Sequence, residues 1–180
     1  MNKTLAPLKS AVDWVSQCAT IIAEYGNCEI HWPTPDGFEC MQRKVKGETW
    51  DIAVTLSDGN VLELDILHFK DTPNTAKHRS AIAPNVIHSL DATHLRMVAR
   101  RLKARGCPMI FIHDSFATHC NYRKELYKDI IDTFIELYDR DILEMLATYW
   151  EKMYGVVLPA RPVMGDWNPH SLQGLKRFFA

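Results

Sequence analysis

The chain has 180 residues, of which 47% are hydrophobic and 24% charged, and its formal net charge is −1. This length suits one domain or one lobe of a larger protein, and the apolar content excludes an intrinsically disordered chain. No apolar run approaches the roughly 20 residues that cross a bilayer, and the first residues lack a signal-peptide pattern. Five irregularly spaced cysteines without a Cys-x-x-Cys pair argue against a disulfide framework or structural zinc and favour a reducing compartment.

The near-neutral total conceals two segments of opposite charge. Residues 77–105 carry seven Lys and Arg against one acid, a net +6, whereas residues 124–152 carry eight acids against four bases, a net −4. A clustered basic stretch is typical of a protein that binds a polyanion. The alternative is that these basic side chains cover an exposed helix face and pair with the acidic segment. Charge alone leaves both interpretations open.

The first third of the chain predicts one helix followed by two hairpins. Apolar residues recur at helical spacing over residues 7–24. A strand at 28–32, a turn rich in Pro and Gly, and a second strand near 38–45 follow. A clearer hairpin lies at 50–66, where Asp58-Gly59 separates two alternating runs. One face of this hairpin carries Ile52, Val54 and Leu56, and the other carries Asp51, Ala53 and Thr55.

The remaining pattern predicts a loop, a long helix, a short hairpin and further helices. Residues 67–83 are polar and irregular, which predicts a loop, and a helix is expected from Pro84 to about Arg105. Two short strands follow at about 109–119, and residues 122–154 are helical with a break near 139–141. No linker divides the chain, so we expect a single α+β domain over residues 1–180.

Candidate chemistry concentrates where the apolar strand that ends at Ile112 gives way to His113-Asp114-Ser115. A carboxylate at a strand tip is held rigidly, as a divalent-metal site for phosphoryl chemistry requires. The alternative is an Asx-turn that closes a hairpin. A serine-hydrolase triad is not indicated, since adjacent residues do not form one, and a stand-alone metallohydrolase is a more distant possibility. His94, on the apolar stripe of the long helix, is expected to be a partly buried core histidine.

Three ordered blocks and a similar chain end carry a family resemblance. The block Ala83-Pro84-Asn85-Val86-Ile87-His88-Ser89-Leu90-Asp91-Ala92-Thr93-His94-Leu95-Arg96 is followed by Ile112-His113-Asp114-Ser115-Phe116. His31-Trp32-Pro33-Thr34-Pro35-Asp36-Gly37-Phe38 lies upstream, and residues 175–180 form an aromatic-alanine end. Together they resemble the C-terminal part of the single-subunit DNA-directed RNA polymerases of bacteriophages and mitochondria. The resemblance implies the palm and fingers segment of a right-hand polymerase, with its catalytic palm hairpin at about 109–119.

The resemblance also implies roles for individual residues. Asp114 would be the second of two palm aspartates that coordinate Mg²⁺ for nucleotidyl transfer. His113 and Ser115 would shape the turn, with His113 near the RNA end, and His88 would lie close to the ribose of the incoming nucleotide. His88 and Asp91, three residues apart, are expected on one helix face. Farther along the same helix, Arg96 and Arg100 are candidates for contacts with backbone phosphates.

The hairpin at about 46–66 falls where this family carries its promoter-specificity loop, which enters the major groove of DNA. A two-stranded ribbon fits that groove, yet this hairpin is acidic and lacks Lys and Arg between Thr49 and Ile66. Acidic side chains repel phosphates, although Asp and Glu can accept a hydrogen bond from cytosine N4. Promoter reading by Asp51, Thr55 or Glu63 is therefore a hypothesis that rests on this hydrogen bonding alone.

The family's first catalytic aspartate, its nucleotide-holding helix and its thumb would lie upstream of this chain. We therefore expect the chain not to polymerise alone, and to need an N-terminal polymerase part, template and promoter DNA, nascent RNA and ribonucleoside triphosphates. A fragment of a related DNA polymerase is one rival, although Ser115 stands where those enzymes usually have a third acid. A noncatalytic, nucleic-acid-binding or regulatory relic is another. We expect no membrane association and a cytoplasmic location, in the bacterial host for a phage protein, and favour a mitochondrial location less.

Overall fold

The computed structural model describes residues 6–112 and 115–175, which form four α-helices and three separate two-stranded antiparallel sheets. The described part is therefore of the α+β class, as the sequence predicts. In chain order the elements are α1 (Ala6–Glu24), β1 (Glu29–Pro33), β2 (Glu39–Arg43), β3 (Val45–Thr55), β4 (Val61–Pro73), α2 (Thr75–Ala104), β5 (Met109–Ile112), β6 (Ser115–Thr118), α3 (Arg123–Tyr138) and α4 (Ile142–Tyr154). Short 3₁₀ turns occupy Cys120–Tyr122 and Pro169–Leu172.

The larger core is built on the apolar stripe of α1, whose predicted extent is confirmed. Side chains spaced three and four residues apart bury one face of this helix, so that the stripe leaves water as a unit. The first half of α2, the first strand and α4 complete this core. Its members include Trp14, Val15, Cys18, Ile22, Ile30, Trp32, Ile82, Val86, Leu146 and Trp150.

Side chains of helix α4 also form hydrogen bonds with the backbone of β1. The indole of Trp150 donates to the carbonyl of His31 at 2.8 Å. The Tyr154 hydroxyl accepts from the His31 amide at 2.8 Å and donates to the Glu29 carbonyl at 3.2 Å. These bonds satisfy backbone groups of a strand that pairs with β2. The strand is thereby held against α4, and the turn that follows it is positioned over α2.

A second, smaller core joins the last turns of α2 to α3 and the β5–β6 hairpin. Val98 and Leu102 of α2 pack with Leu126 and Ile130 of α3. Partly buried aromatic residues of the hairpin, Phe111 and Phe116, cover this cluster. The short hairpin is therefore held by packing on two helices, which gives the strand ends a rigid base.

The predicted start of α2 is wrong: the helix begins at Thr75, nine residues before Pro84. The Asn74 side chain caps it by accepting from the Lys77 amide at 3.1 Å. His78 and Ile82 are fully buried, so the first two turns are held by tertiary packing. The loop predicted at 67–83 is also wrong. Residues 67–73 continue β4 and pair with the first part of β3, and residues 75–83 belong to α2.

The β3–β4 pair forms a long ribbon whose residues 49–72 are all exposed. The predicted Asp-Gly turn is confirmed, with Gly59 at a φ of +85°, a conformation that side chains with a Cβ rarely adopt. The predicted helix break is confirmed between α3 and α4, where Asp141 caps α4 through the Glu144 amide at 2.9 Å. No helix in the described ranges is long and apolar enough to span a membrane. The five cysteines are free.

Part of the basic segment pairs with the acidic segment, as the second interpretation of the charge pattern predicts. Arg101 of α2 contacts Glu136 of α3 at 2.6 Å, and Arg105 contacts the buried Asp129 at 2.7 Å. These pairs join α2 to α3 beside the smaller core. The charges at this end of α2 therefore have a structural role.

Candidate catalytic and nucleic-acid interface

The β5–β6 hairpin carries the motif that the sequence singles out. Its register places Ile112 directly opposite Ser115, and His113 and Asp114 follow Ile112 in the chain. Those two residues lie outside the described residues. Their roles, and that of exposed Ser115, therefore stay predictions, while the strands on either side are defined.

Aromatic packing holds the two strands of this hairpin to the helices beneath it. Phe111 and Phe116 meet edge to face, with ring centroids 5.5 Å apart. Phe116 in turn packs edge-on to His94 of α2 at 5.8 Å. The His94 Nε2 atom lies 2.9 Å from the carbonyl of Ile130, and burial lowers the pKa of the imidazole. His94 is thus the buried core histidine that the sequence predicts, and it supports the hairpin from below.

On α2, some residues of the 83–96 block are exposed and others lie in the core. His88 and Asp91 are exposed, whereas Ser89 is buried. The Ser89 hydroxyl accepts from the indole of Trp32 at 3.0 Å and donates to the Val86 carbonyl at 2.7 Å. Trp32 belongs to the upstream block, so the structure brings two of the three sequence blocks into direct contact.

A second contact between the same blocks is the ion pair of Arg96 with Asp36. The guanidinium binds the carboxylate through two bonds of 2.7 and 2.8 Å, and it lies 4.7 Å above the ring of Phe38. It also donates to the hydroxyls of Thr34 at 3.2 Å and Thr93 at 2.9 Å. Hydrogen bonding to Arg96 holds the pKa of the Asp36 carboxyl well below its usual range. Arg96 therefore fixes the β1–β2 turn on α2.

Arg100 differs from Arg96 in its surroundings. Its side chain is 67% exposed and approaches Asp36 only at 3.8 Å. Sequence reasoning identified both arginines but missed Asp36, because Thr-Pro-Asp-Gly is an ordinary turn sequence and no pattern links residues 60 apart. Of the two, Arg100 is the one whose guanidinium is open to a phosphate.

The three ribbon candidates share one face. Asp51 lies opposite Asp65, Ala53 opposite Glu63, and Thr55 opposite Val61. Directly opposed residues of an antiparallel pair point to the same side, so Asp51, Thr55 and Glu63 form a line along the ribbon. The like charges of Asp51 and Asp65 repel each other across the strands. This acidic face suits a hydrogen-bond donor better than a phosphate.

A metal centre is not formed by the described residues. Over 6–112 and 115–175, no three His, Cys, Asp or Glu side chains gather into a group that holds a metal ion. The acidic residue expected to do so, Asp114, lies outside these ranges. The metal site therefore stays a prediction that rests on the sequence motif.

Comparison with known proteins identifies the class to which these motifs belong. The family described as DNA-dependent RNA polymerase matches residues 1–168, which include the 31–38 and 83–96 blocks and His113-Asp114. The chain belongs to the single-subunit, phage-type DNA-dependent RNA polymerase family. The predicted family is thereby confirmed.

Individual relatives are DNA-directed RNA polymerases of Nicotiana species, two of which are named as organellar enzymes. The chain is 31% identical over 172 residues to the chloroplastic DNA-directed RNA polymerase 3B of Nicotiana tabacum, covering 95% of this chain and 17% of that protein. It is 30% identical over 172 residues to the mitochondrial DNA-directed RNA polymerase 1 of Nicotiana sylvestris, with the same coverage. It also matches DNA-directed RNA polymerase 2A of Nicotiana tabacum at 30% identity, over 95% of this chain and 50% of that protein. The chain thus spans only part of each relative.

Proposed function

We propose that this chain is the C-terminal palm and fingers portion of a DNA-directed RNA polymerase and contributes Asp114 to nucleotidyl transfer. The observation that carries the proposal is the family match, which runs through both the 83–96 block and the His113-Asp114 motif. The β5–β6 hairpin supports it, because the strands on either side of Asp114 are paired and packed on two helices. The palm hairpin is then residues 109–119, and residues 1–180 form one segment of the polymerase.

Polymerases of this family in general use Mg²⁺, and Asp114 is the residue that we expect to hold it here. When bound, Mg²⁺ supplies charge stabilisation for the triphosphate and lowers the pKa of the attacking hydroxyl. His113 and Ser115 shape the turn around Asp114, with His113 beside the RNA end. Exposed His88 on α2 lies close to the ribose of the incoming nucleotide in this proposal.

Catalysis in this proposal requires an N-terminal part that this chain does not supply. A single carboxylate does not hold two metal ions about 4 Å apart, so the first aspartate must come from elsewhere. The relatives support this reading, since the chain covers only 16% to 17% of the first of them. The partners are then template and promoter DNA, nascent RNA, ribonucleoside triphosphates and that N-terminal part.

The β3–β4 ribbon is our candidate for the promoter-specificity loop. Asp51, Thr55 and Glu63 present acceptors along one face, where cytosine N4 is the base-edge donor that they fit. Arg100 provides a phosphate contact that is independent of sequence. Unchanged promoter choice after substitution of all three ribbon residues in the assembled enzyme would contradict this role.

The test is RNA synthesis on promoter DNA with Mg²⁺ and four ribonucleotides, using the chain with and without the N-terminal part. We expect activity only in the mixture. Asp114→Asn should lower the rate by about a thousandfold, equivalent to about 4 kcal/mol, while leaving association with DNA intact. Incorporation of deoxyribonucleotides instead would favour the DNA polymerase alternative. Association without any synthesis would favour the noncatalytic relic.

The compartment in which the protein works belongs to this proposal as well. Two of the relatives above are named as chloroplastic or mitochondrial enzymes, whereas free cysteines also fit a cytoplasmic location. We propose the cytoplasm, and fluorescence of the tagged protein in source cells would test it. Signal confined to an organelle would contradict it.

A further inference from the structure

One face of the β3–β4 ribbon is apolar over residues 50–66. Cross-strand pairs of large hydrophobic side chains follow one another along it, and each side chain is 38% to 47% exposed. We call this surface the apolar face of the ribbon; it consists of Trp50, Ile52, Val54, Leu62, Leu64 and Ile66. Monomeric proteins rarely leave so continuous an apolar surface in water, and when they do it marks an interaction site.

The aromatic member of this face is held in one orientation before any partner arrives. The Trp50 ring stacks on His68, with centroids 4.2 Å apart and an angle of 16° between the planes. Its indole donates to the Glu48 carboxylate at 3.0 Å, and Glu48 is in turn paired with Lys70. A tryptophan fixed in this way loses little further freedom on binding, which is the property of an interface anchor.

The charge of the ribbon indicates whether a nucleic acid or a protein binds its apolar face. The opposite face carries Asp51, Glu63 and Asp65, and no Lys or Arg occurs between Thr49 and Ile66. A phosphate backbone would be repelled by these carboxylates and offers no apolar surface for Ile52 or Leu64. A protein surface with an apolar centre matches the apolar face, and basic residues at its rim are attracted by the carboxylates of the opposite face.

We propose that the apolar face of the ribbon docks on the N-terminal part of the same polymerase, at an apolar surface with basic residues around it. This inference rests on the proposed function, which makes that part the obligatory partner. The chain accounts for 17% of the length of its chloroplastic relative, so a large protein surface is available to cover the face. Docking leaves the acidic face turned outward, where Asp51, Thr55 and Glu63 face the promoter.

The experiment measures association of the chain with the N-terminal part by titration calorimetry, without DNA or nucleotides. The variant Ile52→Thr/Leu64→Thr removes a cross-strand apolar pair, and threonine keeps the strand preference. The control is Leu67→Thr/Phe69→Thr, which removes more exposed apolar side chains from the opposite face. We expect the dissociation constant to rise at least about tenfold in the first variant and less than about twofold in the control.

Equal effects of the two variants, or no effect of the first, would overturn the inference. The second measurement is sedimentation of the chain alone. If the chain forms a dimer and Ile52→Thr/Leu64→Thr dissociates it, the apolar face binds a second copy instead. Loss of promoter-duplex binding by that variant, with the N-terminal part absent, would assign it to DNA.

A further measurement is hydrogen exchange of the ribbon amides in the wild-type chain. It needs no variant, so its result does not depend on whether the variants fold. Added N-terminal part should protect these amides, and unchanged exchange would overturn docking. Because no arm requires RNA synthesis, protection without polymerase activity would refute the proposed function and leave the docking inference standing.

Discussion

At the scale of single residues, Arg96 and Asp36 connect two sequence blocks that are 60 residues apart. Asp36 is only 3% exposed at its side chain, so its charge has lost most of its water. The planar guanidinium returns two hydrogen bonds to it and also covers Phe38. A lysine could not reproduce both contacts at once.

We predict that Arg96→Gln lowers the free energy of unfolding by about 3 kcal/mol, because it leaves the desolvated Asp36 carboxylate with only the Thr34 hydroxyl and the more distant Arg100 guanidinium as partners. Urea denaturation of the chain measures this change. The matched control is Arg100→Gln, which removes a more exposed arginine near the same carboxylate and should cost less than about 1 kcal/mol. Equal losses in the two variants would contradict the structural role of Arg96.

His78 is a second residue whose charge state matters to the fold. Its Nε2 atom lies 3.2 Å from the Cys28 carbonyl, which can only accept, so Nε2 carries the proton. Its Nδ1 atom lies 3.0 Å from the Gln42 amide nitrogen and accepts from it. The imidazole is thus buried in the neutral form, and burial lowers its pKa below the ordinary value of 6.5.

We predict that the chain loses stability as the pH falls from about 7.5 to about 5.5. The unfolded chain binds protons to His78 and His94 near the ordinary pKa, whereas the folded chain resists them, so protonation favours unfolding. Thermal unfolding across this range measures the effect. The pH dependence should be weaker in His78→Gln, and an unchanged slope in that variant would exclude His78 as a source.

At the scale of elements, helix α2 shows how packing and capping outweigh an internal proline. Pro84 has no amide hydrogen and so cannot complete the helical bond to the fourth residue before it. The helix nevertheless runs from Thr75, because Asn74 caps its start and His78 and Ile82 are buried in its first turns. The exposed proline is tolerated at a cost in stability.

We predict that Pro84→Ala raises the free energy of unfolding by about 1 to 2 kcal/mol. The substitution restores a helical hydrogen bond, and part of the gain is offset by the greater freedom of alanine in the unfolded chain. Chemical denaturation measures it, with Ala81→Gly in the same helix as a control that should destabilise. A destabilised Pro84→Ala protein would show that the proline ring contributes packing that the helix needs.

At the scale of the whole molecule, apolar surface remains open at several places. Ile110 and Ile112 of the β5–β6 hairpin are 63% and 64% exposed, on the face away from the smaller core. A groove of about 380 Å³ is lined by apolar residues of α1, α2 and α4, with Met164 and Trp167 at its side. These surfaces suit a lobe that is covered by the rest of a polymerase.

We predict that the isolated chain self-associates and binds a dye specific for apolar surface, because these side chains gain by leaving water. Analytical ultracentrifugation and dye fluorescence measure this, and Ile110→Thr/Ile112→Thr should reduce both signals. Addition of the N-terminal part should suppress them. A monodisperse monomer with little dye binding would count against a missing partner.

The local pattern of the chain by itself determined most elements and the family. Helical spacing defined α1, the Asp-Gly turn defined the β3–β4 hairpin, and Asp139–Asp141 defined the break between α3 and α4. The motif blocks defined the polymerase family, now confirmed. Each of these signals lies within a few residues along the chain, where turn chemistry and side-chain periodicity act directly.

Only the tertiary structure decided the features that depend on distant residues. The start of α2 and the length of β4 follow from packing and pairing across the fold, which overrode proline and the polar composition of residues 67–83. The Arg96–Asp36 pair and the Trp32–Ser89 bond required two blocks to meet in space. The periodicity of apolar residues carries no information about contacts between distant blocks, since these contacts stabilise the chain only once it is compact.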